Sequence, residues 1–416
     1  MNNSKINISK RLNECLSTQI FDLLIKCGEF TERNSASLFL VGGCLRDILL
    51  NKRPKDIDLT LVNGDSNLVQ NLSEYLGGKI IFKSQFFTYK LKVNNNIIDI
   101  TEARKEVYSS PGSLPKITSK CSIDDDLYRR DFTINSMALS LNPASLGNII
   151  DPFNGINDIN NKNIRIIHDN SFSDDPTRIL RAIRYSIRLN FNIDNQTLSK
   201  INEFKSNINS ITGFRIKNEL IKILREDSRS KILLYLDTLK ILDIIQPNIN
   251  LNTKINEIFD NFQFKDEYID DLILIGILIY NLNIQNIIYF AEKLYLDSIF
   301  IKTLRDTNEI KQLLQNVKLD KLKNSSIYKQ LYKYKYEAII INRYFSNENV
   351  CQKIDLYLNK LKDAIPPLNG KEIIALGAKP GPIINEIMDY LLHEKLDGNI
   401  KNKDQAKIKA TQILNK

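Results

Sequence analysis

The apolar run Leu38–Val41 ends at two glycines, Gly42 and Gly43, and Cys44 to Leu50 then carries an amphipathic pattern. That order predicts a strand, a glycine turn and a helix. After the loop Asn51 to Lys55, the segment Asp56-Ile57-Asp58-Leu59-Thr60-Leu61-Val62 predicts a second strand. Residues two apart on a strand point to one side, so Asp56 and Asp58 share a face. Two carboxylates held that close repel each other unless a cation lies between them, and hard oxygen ligands suit Mg²⁺ completed by phosphates and water. Glycines lack side chains, so backbone can approach a ligand closely, and the helix N-terminus beyond them offers free N–H groups to an anion. A tight turn followed by a solvated Asp pair explains either feature alone. Their combination at this spacing favours a site for phosphate and metal.

A chain of 416 residues is long for a single core and predicts about three domains. A formal charge of +9 suits a polyanionic partner without proving one. The five cysteines, Cys15, Cys27, Cys44, Cys121 and Cys351, are far apart, which predicts reduced cytosolic thiols, no zinc site and no disulfide-linked partner. The start Met1–Lys5 is polar with no apolar run after it, arguing against a secretory signal. Leu272 to Tyr280 is too short to cross a bilayer and predicts a buried helix, so a soluble, cytoplasmic protein without membrane attachment is expected. With His168 and His393 alone, a catalytic histidine cluster is excluded.

Lys10 to Lys26 predicts one amphipathic helix, with Leu12, Leu16, Ile20, Leu23 and Leu24 on its apolar side. Leu68 to Leu76 predicts a helix, and Lys79–Phe82, Phe87–Val93 and Ile97–Ile100 predict strands, giving a mixed domain. Asp99, a charge inside the last of these, either faces solvent or completes a carboxylate cluster. The segments Glu102–Glu106 and Ser109–Pro115 predict a mobile loop. In Asp126-Leu127-Tyr128-Arg129-Arg130-Asp131-Phe132-Thr133-Ile134-Asn135, two arginines precede a helix-like segment. Arginine is a planar donor to phosphate, and Asp131 and Asn135, one helical turn apart, could bind ribose hydroxyls. A surface ion-pair patch is the bland alternative.

Ile149–Asp158 reads as a linker into a new domain, with the boundary near Asp151. Downstream, Asp175 is a good N-cap and Pro176 fits a first helical position. On the helix that follows, Arg178, Arg181, Arg184 and Arg188 fall on one side, and Ile179, Leu180, Ile183 and Ile187 on the other. With no acid interleaved on the arginine face, mutual repulsion argues for a bound triphosphate or RNA backbone. Asp175 and Arg178 permit a sharper reading. Cytosine and adenine both present an amino donor beside a ring-nitrogen acceptor, and uracil and guanine present the reverse. A carboxylate beside a guanidinium therefore accepts C and A and rejects U and G. Arg215 and Glu219 read as an i,i+4 pair on a further helix. From Asp227 to about Phe345 the pattern is all-helical, and Tyr328-Lys329, Tyr332-Lys333 and Tyr334-Lys335-Tyr336 either stack bases or edge an amphipathic helix.

Together these motifs resemble the nucleotidyltransferase head of the polymerase beta superfamily and, more narrowly, the class II tRNA nucleotidyltransferases (CCA-adding enzymes), which share that head with bacterial poly(A) polymerases. The resemblance runs from about Leu38 to Ala406 and is specific through Tyr185. It implies an α+β fold in which a mixed-sheet head (residues 1–150) precedes an all-helical neck (151–226), body (227–345) and tRNA-gripping tail (346–416). It further implies template-independent addition of CMP and AMP from CTP and ATP to the tRNA 3′ end. Catalytic Asp56 and Asp58, with Asp99 as a third carboxylate, would hold Mg²⁺ for an in-line transfer. Gly42, Gly43, Arg46, Arg129, Arg130, Arg181 and Arg184 would hold the triphosphate, Asp131 and Asn135 the ribose, and Asp175 and Arg178 the base. The family motif is Glu-Asp-x-x-Arg; here Asp174, one methylene shorter, stands first. In the family the loop after Asp99 is flexible and helps admit adenine. The alternatives are poly(A) polymerase, a partial enzyme adding only CC or only A, and an RNA-binding protein with an inactive head.

Overall fold

The head is built on a seven-stranded sheet in the order β3-β4-β5-β2-β1-β8-β9. Its strands are β1 (Ser37–Val41), β2 (Asp58–Val62), β3 (Lys79–Lys83), β4 (Thr88–Val93), β5 (Asn96–Glu102), β8 (Ala138–Ser140) and β9 (Ile149–Ile150). A separate ribbon pairs β6 (Arg104–Val107) with β7 (Lys116–Ser119), and a short parallel pair joins β10 (Asn163–Ile164) to β11 (Asn192–Ile193). Strands β1 and β2 run antiparallel, whereas β2 and β5 run parallel with Asp58 opposite Asp99. Leu38, Leu40, Leu59, Leu91 and Ile100 are almost wholly buried, as β-branched and aliphatic residues in a sheet covered by helices should be. Helix Thr18–Arg33 packs on β1, and Gly28 lets it approach the backbone just beyond β8: a Cβ there would lie 1.9 Å from the carbonyl oxygen of Leu141.

The computed structural model describes residues 8–264 and 267–415, so the polar start Met1–Lys5 lies outside the described residues. The chain divides into two compact units, Met1–Pro247 and Asn248–Lys416. The first continues beyond the sheet with helices Ser171–Asp174, Thr177–Leu189, Asn195–Phe204, Gly213–Leu224 and Arg229–Thr238. The second is helical. Helix Glu267–Leu278 is buried from Leu272 through Leu278, in keeping with its apolar sequence. Another of its cores joins Ile310, Leu331 and Ile339 to Leu392 and Leu396, and a third, built from Leu368, Ile373, Ile387, Leu391 and Ala406, lies near the C-terminus. Tyr328 and Tyr332 stack at 5.7 Å with Tyr332 on the surface. No described helix is long and apolar enough to cross a membrane, and all five cysteines are free.

Several local expectations need correction. Lys10 to Lys26 is not one helix: Ile8–Cys15 and Thr18–Arg33 are separate, because Ser17 takes an extended conformation and caps the second through Ile20 N–H. Asp56 lies before β2 rather than in it, so strand alternation is not what brings it to Asp58. The expected loop of Glu102–Glu106 is largely ribbon, with Ser109–Pro115 at its tip. After Arg129 and Arg130 there is a short 3₁₀ turn, Thr133–Asn135, and then β8, because the apolar residues there insert into the sheet. Helix Thr177–Leu189 starts one residue later than expected, yet Asp175 Oδ1 still accepts from Thr177 N–H at 3.0 Å.

Candidate active site

A cleft of about 650 Å³ in the first unit brings together Gly42, Gly43, Arg46, Asp56, Asp58, Arg129, Arg130, Asp131, Asn135, Asp175, Arg178 and Arg181. Arg184 and Asp99 do not line it. Gly42 stands at φ +66°, where L side chains are strained, and begins helix Gly42–Leu49. Its missing side chain also makes room: a Cβ would lie 2.9 Å from Arg130 Nη1 and 3.8 Å from Asp58 Oδ2. The glycine thus lets a guanidinium and a carboxylate approach the same stretch of backbone. Burial pushes the Asp58 carboxyl above its ordinary range, Arg130 opposes this, and Asp99 and Asp56 add to it. Asp99 itself is ion-paired with Lys90, at 2.9 and 2.7 Å, and lines a neighbouring cavity that also touches Asp56.

Buried Asp126 accepts from Arg129 (2.9 and 2.7 Å) on one oxygen and from Arg130 (2.9 Å) on the other. Burial works against its charge, but the two guanidiniums outweigh it and hold the carboxyl below its ordinary range. Arg130 Nε remains buried with no hydrogen-bond partner. Arg46, about 1% exposed, donates to Asn135 Oδ1 at 2.7 Å and to Asp47 Oδ1 at 2.9 and 2.7 Å. Asn135 in turn donates to Asp131 Oδ1 at 2.9 Å. Asp131 and Asn135 are therefore hydrogen-bonded to each other, and not spaced along an α-helical turn.

The arginine face of helix Thr177–Leu189 overturns the argument that these charges lack acidic neighbours. Arg181 donates to Asp131 Oδ2 at 2.9 and 2.7 Å, Arg184 lies 3.4 Å from Glu219 and 3.2 Å from Glu226, and Arg188 lies 3.6 Å from Glu226. The acids come from other elements, so helix periodicity could not reveal them. Arg184 Nε is also buried without a partner. Arg215 and Glu219 do not pair either. Arg215 reaches Asp175 Oδ1 at 2.7 Å and the carbonyl of Gly112 at 3.1 Å, because Glu219 is turned toward Arg181, Arg184 and Lys222. Arg178 donates to Ser171 Oγ at 2.8 Å and to the Arg129 carbonyl at 2.6 Å.

Burial also works against the Asp131 charge, yet Arg181 and Asn135 hold its carboxyl down at about 2. An unfolded Asp titrates near 3.9, so this stabilisation is present above that value and is lost as pH falls through about 2. Asp131→Asn should therefore unfold more easily than wild type at pH 7, by on the order of 2 kcal/mol. Urea midpoints measured from pH 7 downward should converge in strong acid. A gap independent of pH would assign the loss to packing instead.

Sequence reasoning passed over Lys52, Arg53, Lys55, Glu106, Tyr108, Tyr185, Glu226 and Asp227, all of which line the cleft. The basic run just before Asp56 was a readable signal; the others carry none locally. Among the described residues, no group of three or more His, Cys, Asp or Glu is arranged to hold a metal ion.

Two family models match this chain: the poly(A) polymerase head domain over residues 38–165, and a probable RNA- and SrmB-binding site of polymerase A over residues 190–252. The A-adding tRNA nucleotidyltransferase of Halalkalibacterium halodurans is 32% identical over 98% of this chain and 96% of its own length. The chain belongs to the class II tRNA nucleotidyltransferase family. An A-adding relative from Geobacter sulfurreducens is 28% identical over 94% of this chain, which spans only 47% of that longer protein. Among solved structures, a CCA-adding enzyme complexed with ATP superposes with a TM-score of 0.80 at 27% identity, covering 98% of both chains. The Thermotoga maritima CCA-adding enzyme complexed with tRNA superposes at 0.76 and 26%, also covering 98% of both. Nucleotidyltransferases of this kind generally use divalent metal ions.

Proposed function

We propose that this protein adds CMP and AMP from CTP and ATP to the 3′ end of tRNA, in the cytoplasm. The observation that carries the reading is one cleft holding Asp56 and Asp58 beside Gly42, Arg130 and Arg181, within a chain similar along almost its whole length to tRNA-tailing enzymes. In functional terms the head (1–150) does the chemistry, the neck (151–226) reads the base, and the body (227–345) and tail (346–416) hold tRNA. In the tail, Lys395, Lys401 and Lys403, the last paired with Glu372, line a cavity of about 410 Å³ beside Pro366 and Pro367, a surface whose other two lysines pair with no acid among the described residues and suit a nucleic-acid backbone.

The donor set fits Mg²⁺. Asp56 and Asp58 offer hard oxygens, a cation would relieve the cost that burial, with Asp99 and Asp56 nearby, places on the Asp58 charge, and substrate phosphates and water complete such a site. When bound there, Mg²⁺ supplies Lewis-acid stabilisation of the attacking 3′ oxygen and the departing pyrophosphate. Asp99, outside the cleft but opposite Asp58 on the adjacent strand and paired with Lys90, would be the third carboxylate. Arg46, Arg129, Arg130 and Arg181, with Arg184 behind them, would orient the triphosphate, and Asp131 and Asn135 the ribose. No histidine is needed as a base.

The test uses purified protein, tRNA transcripts ending at the discriminator base or in CC, and each labelled nucleotide in turn. Addition of C, C and A in order is expected. Long A tails would favour poly(A) polymerase, and tRNA binding without Mg²⁺-dependent incorporation would leave only an RNA-binding protein. A second reading, addition of the terminal A alone, is favoured by the A-adding relative matched along 98% of this chain. It predicts AMP incorporation on the CC-ended transcript only.

A further inference from the structure

Tyr185 lies on helix Thr177–Leu189, is 8% exposed, and lines the cleft. Its ring is surrounded by guanidinium groups to an unusual degree. The Cζ atoms of Arg46, Arg181, Arg184 and Arg188 stand 5.3, 5.3, 4.9 and 5.3 Å from the ring centroid. All four are within the ~6 Å over which an aromatic quadrupole attracts a cation. Helix spacing explains part of this, since Arg181 and Arg188 are i−4 and i+3 to the tyrosine. Arg46 has a different origin: it comes from helix Gly42–Leu49, at the glycine turn beside Asp58. The ring is therefore common ground for arginines from two separate helices, Gly42–Leu49 and Thr177–Leu189.

Like charges so close repel, and Asp131, Glu219 and Glu226 offset part of this for Arg181, Arg184 and Arg188 on helix Thr177–Leu189. None of those acids reaches Arg46, whose own partners are Asp47 and Asn135. Two links span both groups: the hydrogen bond from Asn135 to Asp131, which ties Arg46 to Arg181, and the Tyr185 ring, which touches all four guanidiniums and is held edge-on by Phe132 at 6.0 Å and 87°. The hydroxyl contributes one further link, accepting from Arg181 Nη2 at 3.1 Å.

We propose that Tyr185 is a positioning residue for the polyphosphate of the nucleotide: its ring sets the spacing between Arg46 and the neck arginines at which a triphosphate is gripped. The inference rests on the cleft taking a nucleoside triphosphate. A π-face serves this purpose better than a carboxylate, because it gathers cations without neutralising them and without competing with phosphate for their N–H donors.

Tyr185→Phe keeps the ring, whereas Tyr185→Leu and Tyr185→Met remove it and keep an apolar filler. Three quantities are measured: the dissociation constants for ATP and for inorganic tripolyphosphate by calorimetry, the KM and kcat of nucleotide incorporation, and tRNA affinity. The phenylalanine variant should stay within about twofold of wild type, and the leucine or methionine variant should bind both ATP and tripolyphosphate roughly tenfold more weakly, with KM rising more than kcat falls. Affinity for tRNA should not change. Should Leu fail to fold, Met serves, and a tenfold loss in the phenylalanine variant, which keeps the ring, overturns the role of the ring. Unchanged polyphosphate binding in the ring-less variants, or a fall in kcat alone, also overturns the proposal. Absence of ATP binding by wild type would overturn the reading of the cleft itself, which is a separate outcome.

Discussion

Asp58→Ala protein should incorporate neither AMP nor CMP at a measurable rate, a loss of roughly a thousandfold or more, since several kcal/mol of stabilisation at the reacting oxygens depends on this carboxylate. Binding should survive. Asp58 lies far in sequence from the helical second unit, and the arginines of the cleft are left in place. Folding should survive too, for a reason visible in its environment. Burial with Asp56 and Asp99 nearby raises the Asp58 carboxyl above its ordinary range, so its ionised form costs the folded state some stability at neutral pH. Removing it should leave the thermal midpoint at pH 7 unchanged or slightly higher. The decisive comparison is single-turnover incorporation in Mg²⁺ alongside tRNA and ATP affinity. Activity near wild type in the variant would sink the carboxylate reading, and a collapse of affinity together with activity would point to a structural role.

Asp175→Ala and Arg178→Ala should each admit UMP, with discrimination between CTP and UTP falling about fivefold to over a hundredfold, the worth of roughly 1–3 kcal/mol for a good base-edge contact. The geometry makes this more specific. The side-chain hydrogen bonds that hold Asp175, from Thr177 N–H, Thr177 Oγ1 and Arg215, are all accepted by Oδ1, which leaves Oδ2 for the amino group of C or A. Arg178 is anchored from two sides, by Ser171 Oγ and the Arg129 carbonyl. Arg215→Ala should thus slow incorporation by loosening Asp175 while keeping more of the discrimination than Asp175→Ala does. The measurement is the ratio of incorporation efficiencies for CTP and UTP on a tRNA lacking its CCA end. If both primary variants reject UTP as strictly as wild type and lose only rate, Asp175 and Arg178 shape the helix and do not read the base.

What could be read from the sequence alone was local. The glycine turn, the strand after it and the arginine-bearing helix were legible because each is encoded within a few residues: Gly42 where φ must be positive, aliphatic residues in β1 and β2, and apolar spacing that buries Ile179, Leu180 and Ile183. The family was legible for the same reason, since its motifs are contiguous strings. The tertiary structure decided everything that depends on which strings meet. It brought Asp131 to Arg181, Glu219 and Glu226 to Arg184, and Arg215 to Asp175, so a helix face that looked uncompensated proved to be largely matched by acids from elsewhere. It set Asp99 opposite Asp58 across a parallel strand pair and gave it Lys90 as a partner. It also gathered Arg46 and the neck arginines around Tyr185. The reason is physical. Backbone conformation and amphipathic spacing are set by near neighbours along the chain, whereas the charge that a buried group meets is set by packing between elements, and one sequence carries no local trace of that.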